Sequence, residues 1–347
     1  MRCVLLTLAA LALLGLVAAV SVVGLGLYNV SALAGHLPGV SWMLHTTFRN
    51  SVTLRAAATE DMPDLSDPDL IALGAGHYAT ACAPCHAEPD RHRTATMRAM
   101  LPRPPGIRDA VADWNPAELH WIVENGVKMT GMPGWPTGGR ADEVWAVVAY
   151  LEAVRQRKVP QLPTPEGDDN TGPPEAGYCR TCHGGVSHHV PRLDIQQPDY
   201  LTEALRDYLT GERPSGIMQQ AVTQVPPEAL PELAEYFATA HEPTAKPAES
   251  SPPDFPSEGK ALATRGTREV PACTACHGPG ATLAQTRSPA LAGQNRAFLE
   301  NQLRLWRDGI RQGSAKMSAA ARALTDKDIA VLAEWYASLE PDESRAE

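Results

Sequence analysis

The sequence predicts an all-α protein: three small helical domains in tandem behind one apolar N-terminal helix. Three observations predict it. The chain opens on 26 uncharged residues, Cys3 to Tyr28; the motif C-x-x-C-H occurs three times; and each motif-bearing segment closes on a run whose apolar residues recur three and four apart. Strand-like alternation is scarce. At 44% hydrophobic and 20% charged, the 347 residues are mostly globular and have room for two or three domains. A net charge of −10 excludes broad electrostatic attraction to nucleic acid. Aromatic residues make up only 5%, so something other than large side chains must help to fill the interiors.

The first element is the apolar run. About 20 apolar residues suffice to cross a bilayer, and residues 1–30 are accordingly assigned to a membrane anchor. A cleaved secretory signal is the alternative, and Ala32-Leu33-Ala34 resembles a cleavage site, but the apolar region of such a signal runs only about 7 to 15 residues. Either outcome exports the chain. Arg2 precedes the span and suggests a cytoplasmic N-terminus, an argument blunted by Arg49 and Arg55 beyond it. In the juxtamembrane segment 31–65, residues 36–60 carry Trp42, His45, Phe48 and Arg49 in a stretch able to lie along the membrane surface as a helix. His36 and His45 read as structural.

The three motifs are Cys82-Ala83-Pro84-Cys85-His86, Cys179-Arg180-Thr181-Cys182-His183 and Cys273-Thr274-Ala275-Cys276-His277. This is c-type haem attachment spacing. Two thiols bond covalently to the porphyrin edge while the adjacent imidazole reaches the iron, so all three groups must leave one short helical turn together. Zinc would ordinarily take four protein ligands, and no second C-x-x-C lies nearby to complete a set. A disulfide or thioredoxin-like pair gives no reason for a His after the second Cys each time. Three covalently attached haem c groups are therefore expected.

Domains follow at 66–158, 175–241 and 258–341, joined by the Pro-rich segments 159–174 and 242–257, which read as extended linkers able to let the domains reorient. The second and third repeat each other. At an offset of 98, Pro191, Leu193, Gln196, Tyr200, Leu201, Leu205, Tyr208, Gly211 and Arg213 meet Pro289, Leu291, Gln294, Phe298, Leu299, Leu303, Trp306, Gly309 and Arg311. Each domain closes on a predicted helix, 141–154, 228–239 and 325–338, the last opened by a capping-box-like Thr325 and Asp328. Trp145, Tyr236 and Trp335 on these helices read as core residues.

A haem iron held by one His keeps a sixth position for Met, a second His or a substrate, and this choice separates carriers from haem catalysts. In the first domain Met132 stands on the glycine-rich loop GVKMTGMPGW, with Met129 as its main competitor and Met97 and Met100 nearer the motif. Met218 and Met317 are each the sole Met following their motif within the domain, one step out of register in the repeat. His188 and His189 compete for the second haem but lie too near His183 to wrap round easily, while His77, His92, His120 and His241 read as surface or packing residues.

Over residues 66–340 these motifs and late methionines resemble class I c-type cytochromes. The second and third domains resemble the halves of dihaem cytochrome c4, the third keeping PALAGQ, FLENQLRLWRDGIR and MSAAA; the second has only EAGY before Cys179 and a proximal loop four residues shorter. The first, through GHYATACAPCH and GVKMTGMPGW, is similar to cytochrome domains of membrane-bound dehydrogenases and oxidase-associated cytochromes. The resemblance implies Cys82, Cys85, Cys179, Cys182, Cys273 and Cys276 as attachment points, and His86 with Met132, His183 with Met218 and His277 with Met317 as iron ligands. It also assigns Pro105, Pro191 and Pro289 to the place where a carbonyl orients the proximal imidazole. It implies haem domains in the periplasm, held by one helix at a bacterial inner membrane. The role expected is an electron carrier rather than an enzyme, between a quinol-cytochrome c reductase or dehydrogenase and a terminal oxidase or reductase. The alternatives are a permanent cytochrome subunit of a dehydrogenase or oxidase, or a peroxidase-like dihaem enzyme.

Overall fold

In the computed structural model the described residues are 2–56, 62–158, 172–185, 187–239, 255–278 and 288–341. Helix α1 (Arg2–Gly24) is the apolar run, with a mean hydropathy of 2.8 and nothing of it buried in the chain. At about 1.5 Å per residue it reaches roughly 34 Å, enough to cross a bilayer core of about 30 Å. Helix α2 (Val40–Arg55) lies within the stretch expected at the membrane surface. Its C-terminal half docks instead on the first haem-motif unit: Val52 is fully buried, Phe48 meets Trp114 edge-on at 5.5 Å, and Thr53 Oγ1 donates to Glu118 at 2.8 Å. Its N-terminal half leaves Trp42, Met43 and Leu44 exposed, and His36 and His45, read as structural, are exposed as well.

The first unit is built on α3 (Pro68–His77), α4 (Pro116–Asn125) and α5 (Ala141–Arg155). Pro68 opens α3 where a missing N–H costs nothing, and the Asp67 carboxylate accepts from Asp69 N. Asn115 and Glu118 form a capping box on α4. Helix α3 crosses α5 at Gly74, where a Cβ would lie 1.9 Å from the Ala146 carbonyl oxygen, so only glycine lets the two backbones approach this closely. Tyr78, Val111, Val144, Val148, Tyr150 and Val154 fill the core around the crossing.

The second unit holds α6 (Ala176–His183), α7 (Pro198–Thr210), α8 (Gly216–Val222) and α9 (Leu230–Thr239). The third repeats it with α10 (Phe255–Arg265), α11 (Arg296–Arg307), α12 (Ala315–Ala321) and α13 (Asp326–Ala337). Helix α10 crosses α13 at Gly259, whose Cβ would stand 2.1 Å from Val331 O, the same close crossing as in the first unit. The second unit has no counterpart of α10 among its described residues. Helices α3 and α5 of the first unit pack on another face of the second: Leu70, Leu73, Ala146 and Ala149 meet Cys182, Val190 and Ile217.

The Pro-rich joints expected to let the units reorient fall largely outside the described residues, at 159–171 and 240–254, and α10 begins inside the second. The units themselves pack into one body. His189 Nε2 meets Asp67 at 2.9 Å and His188 pairs with Asp69 across the first boundary. Gln196 and Gln294 clasp the facing backbone across the second, and Asn301 Nδ2 reaches Asp142 at 3.0 Å between the first and third units. The two glutamines are buried, so separating the second and third units would leave their polar groups unpaired.

Candidate haem sites

Each motif sits at the end of a short helical run, which turns the two thiols and the imidazole to one side. The turns are Ala83–His86, the last turn of α6, and Thr274–His277. No disulfide links any two of the seven cysteines. Burial pushes the Cys82 thiol up to about 12 and Cys179 to about 11. Among the described residues no three His, Cys, Asp or Glu gather as a metal site.

The three imidazoles share one arrangement. His86 Nδ1 stands 2.9 Å from Pro105 O, His183 Nδ1 3.4 Å from Pro191 O, and His277 Nδ1 3.1 Å from Pro289 O. A carbonyl can only accept, so Nδ1 carries the proton and Nε2 keeps its lone pair for a metal. Burial holds all three below the ordinary histidine pKa, which keeps the rings neutral as ligation requires.

The methionines are placed by local structure. Met317 is the third residue of α12, its N–H donating to the N-cap Ser314 Oγ at 3.3 Å, and its sulfur lies 3.4 Å from His277 Nε2. Met218 is the third residue of α8, its N–H donating to Ser215 Oγ at 3.1 Å, so the one-step slip in the repeat resolves into equivalent positions. Met132 is held on its loop by Val127 N donating to Met132 O at 3.1 Å and by Met132 N donating to Thr130 Oγ1 at 3.0 Å. Its main competitor, Met129, is 91% exposed and points away, whereas Met100 packs against the same loop at Gly131. Of the three pairs, the structure brings His277 and Met317 directly together; Met218 and Met132 are placed by their local structure. His188 and His189 turn toward the first unit's carboxylates, His77 and His120 are buried packing residues, His92 is exposed, and His241 lies outside the described residues.

A pair of cations, Arg213 buried and Arg311 half-buried, tests whether the site suits the whole cofactor. Arg213 is 8% exposed, lies over the Tyr208 ring at 4.7 Å and donates to Tyr200 OH at 3.4 Å. Its repeat partner Arg311 lies over Trp306 at 4.9 Å and donates to Gln302 at 2.5 Å. Despite its burial, Tyr200 is held below the ordinary phenol pKa by these two guanidiniums. Asp207 lies near enough to interact with both guanidiniums, and two neighbouring cations leave room for further negative charge. A haem carries two propionates, so thiols, imidazole, thioether and cations together fit the group.

Similarity to known proteins agrees. A thiosulfate dehydrogenase electron acceptor of Thiomonas intermedia (strain K12) is 36% identical over 175 residues, 48% of this chain and 80% of that protein. The chain is a class I c-type cytochrome. Cytochrome c4 of Pseudomonas aeruginosa is 31% identical over 50% of this cytochrome and 89% of its own length. The solved structure of reduced recombinant cytochrome c4 from Pseudomonas stutzeri is 27% identical, covers 50% of this chain and 100% of its own, and has a TM-score of 0.43. Residues 69–151 and 257–335 match the family described as cytochrome C oxidase, cbb3-type, subunit III. The cytochrome is thus an electron-transfer protein of a family that binds haem c covalently, and its relatives are carriers or acceptor subunits rather than enzymes in themselves.

Two sets of residues that shape these sites escaped the sequence reading. Glu143 on α5 is buried beneath the start of α8, accepting from Gly216 N at 2.7 Å, Ser215 Oγ at 2.5 Å and Trp135 Nε1 at 3.2 Å, and paired with Arg140 at 2.8 Å. It anchors the helix that carries Met218, and burial raises its pKa. No sequence signal marks it. Gln196 and Gln294, by contrast, stood in the repeat alignment without a role.

Proposed function

We propose that this cytochrome carries electrons at the outer face of a bacterial inner membrane, with three haem c groups, one in each of the domains 66–158, 175–241 and 258–341. Each cysteine pair fixes one group through thioether links. His86, His183 and His277 would hold the iron through Nε2, and Met132, Met218 and Met317 through their thioether sulfurs. When bound, haem supplies a one-electron ferric–ferrous couple, whose potential a thioether ligand raises relative to a nitrogen ligand. The chain's own residues orient each imidazole through a proline carbonyl, hold each methionine on an N-capped helix or a tied loop, and balance propionate charge with Arg213 and Arg311. Helix α1 anchors the body and keeps its effective concentration high near membrane partners. The donor is a quinol-oxidising complex or a dehydrogenase, including one acting on thiosulfate as the Thiomonas relative's name suggests, and the acceptor is a terminal oxidase or reductase.

The observation that carries this reading is the threefold imidazole-to-proline-carbonyl bond behind a C-x-x-C-H turn. The test is to produce the full chain with a haem-attachment system and measure covalent haem per chain by mass and by pyridine haemochrome. Three haems are expected; zinc at the thiols, or fewer than three covalent groups, refutes it. The match to an oxidase subunit family favours a second reading, a permanent cytochrome subunit. Isolation as a stoichiometric complex stable to detergent and salt would select it, and isolation as a separate cytochrome would select the carrier.

A further inference from the structure

We propose that Gln196 and Gln294 are positioning residues that act across the boundary between the second and third units, each setting how strongly the other unit's iron-binding histidine is held. The inference rests on haem ligation by His183 and His277. Gln196 belongs to the second unit, yet its Oε1 accepts from Ala290 N at 2.9 Å and its Nε2 donates to Ala290 O at 2.9 Å in the third. Gln294 returns the grip: its Oε1 accepts from Arg192 N at 2.8 Å and its Nε2 donates to Arg192 O at 3.0 Å. Backbone N–H groups can only donate, which fixes the orientation of both amides. Both side chains are buried, at 8% and 2% exposure.

The gripped residues follow the prolines that orient the imidazoles. Ala290 N and Pro289 O belong to one peptide group, and Pro289 O accepts the His277 Nδ1 proton. Arg192 N and Pro191 O likewise share a peptide, and Pro191 O accepts from His183. Peptide resonance couples the two ends of each group, so an N–H that donates to glutamine leaves its carbonyl oxygen more negative and a better acceptor. The imidazole beyond becomes more electron-rich and favours the ferric state. Each glutamine therefore lowers the potential of the haem in the other unit. The pseudo-symmetric repeat makes the effect reciprocal, and the first unit, which lies outside this exchange, is an internal control.

The experiment uses the full-length haem-loaded protein in detergent, with covalent haem counted first; fewer than three haems in the unaltered chain would sink the functional reading itself. With three present, Gln196→Leu should raise the potential of the haem held by His277 and move the His277 Nδ1 proton resonance of the reduced protein upfield, leaving His86 unmoved. Gln196→Glu keeps an acceptor, now charged, at Ala290 N, and should shift the same resonance downfield and the same potential down, even if the leucine variant does not fold. Gln294→Leu should transfer the effect to His183. The proposal is overturned by a shift at the residue's own unit instead, by equal shifts at both haems, by the same sign from Leu and Glu, or by no shift.

Discussion

His77 offers a quantitative test of how the first unit is packed. Its ring is 5% exposed, lies 4.8 Å from the Trp135 ring, and is held by burial to a pKa of about 4, against about 6.5 for an ordinary histidine. Above the unfolded value the ring is neutral in both states and adds no pH dependence. As pH falls below it, the unfolded chain takes up a proton that the folded chain refuses, so stability is lost between the two pKa values. A difference of about 2.5 units corresponds to roughly 3 kcal/mol in full, and about 2.5 kcal/mol of it is gone by about pH 4.5. Replacing His77 with Phe keeps a ring against Trp135 and removes the titration. Denaturant unfolding of the haem-loaded protein near pH 7.5 and near pH 4.5, monitored by a first-unit probe, should show the parent losing about 2.5 kcal/mol more than His77→Phe. Equal losses in the two proteins would refute the argument that this histidine is folded in as a neutral, desolvated ring.

Three further outcomes are expected. Met317→Ala should lower the potential of one haem and let the reduced protein bind carbon monoxide there; an unaltered redox titration would remove Met317 as the sixth ligand. Gly216→Ala places a Cβ 2.1 Å from Trp135 Nε1, beside Glu143, and should destabilise the contact between the first and second units by about 1–3 kcal/mol, read as a lower denaturation midpoint. Thr325→Ala removes the capping box with Asp328 that opens α13 and should cost about 1 kcal/mol in thermal unfolding, whereas Thr325→Ser should cost little.

The candidate haem sites were legible because C-x-x-C-H is a local pattern. Cys82, Cys85 and His86, and their two counterparts, are consecutive enough that one helical turn determines their relation. The closing helices at 141, 228 and 325 were legible for a similar reason, since apolar spacing and caps are properties of neighbouring residues. The ties that hold Met132, favoured over Met129 from its loop position, were not, because Val127 and Thr130 meet it only once the loop has folded. Nor was the fate of His188 and His189: their partners Asp69 and Asp67 stand 119 and 122 residues away in the chain.

The amino-acid order alone determined that helical segments would present three sets of two thiols, an imidazole and a late thioether, behind an apolar run long enough to span a bilayer. These follow from spacing within a turn or periodicity within a helix. Only the tertiary structure decided that the three units pack against one another, that Leu70, Leu73, Ala146 and Ala149 of the first meet Cys182 and Ile217 of the second, and that Gln196 and Gln294 reach each other's proximal loops. Such contacts join residues about a hundred positions apart, and their partners are selected by shape and by the need to satisfy buried donors and acceptors, which no local pattern encodes.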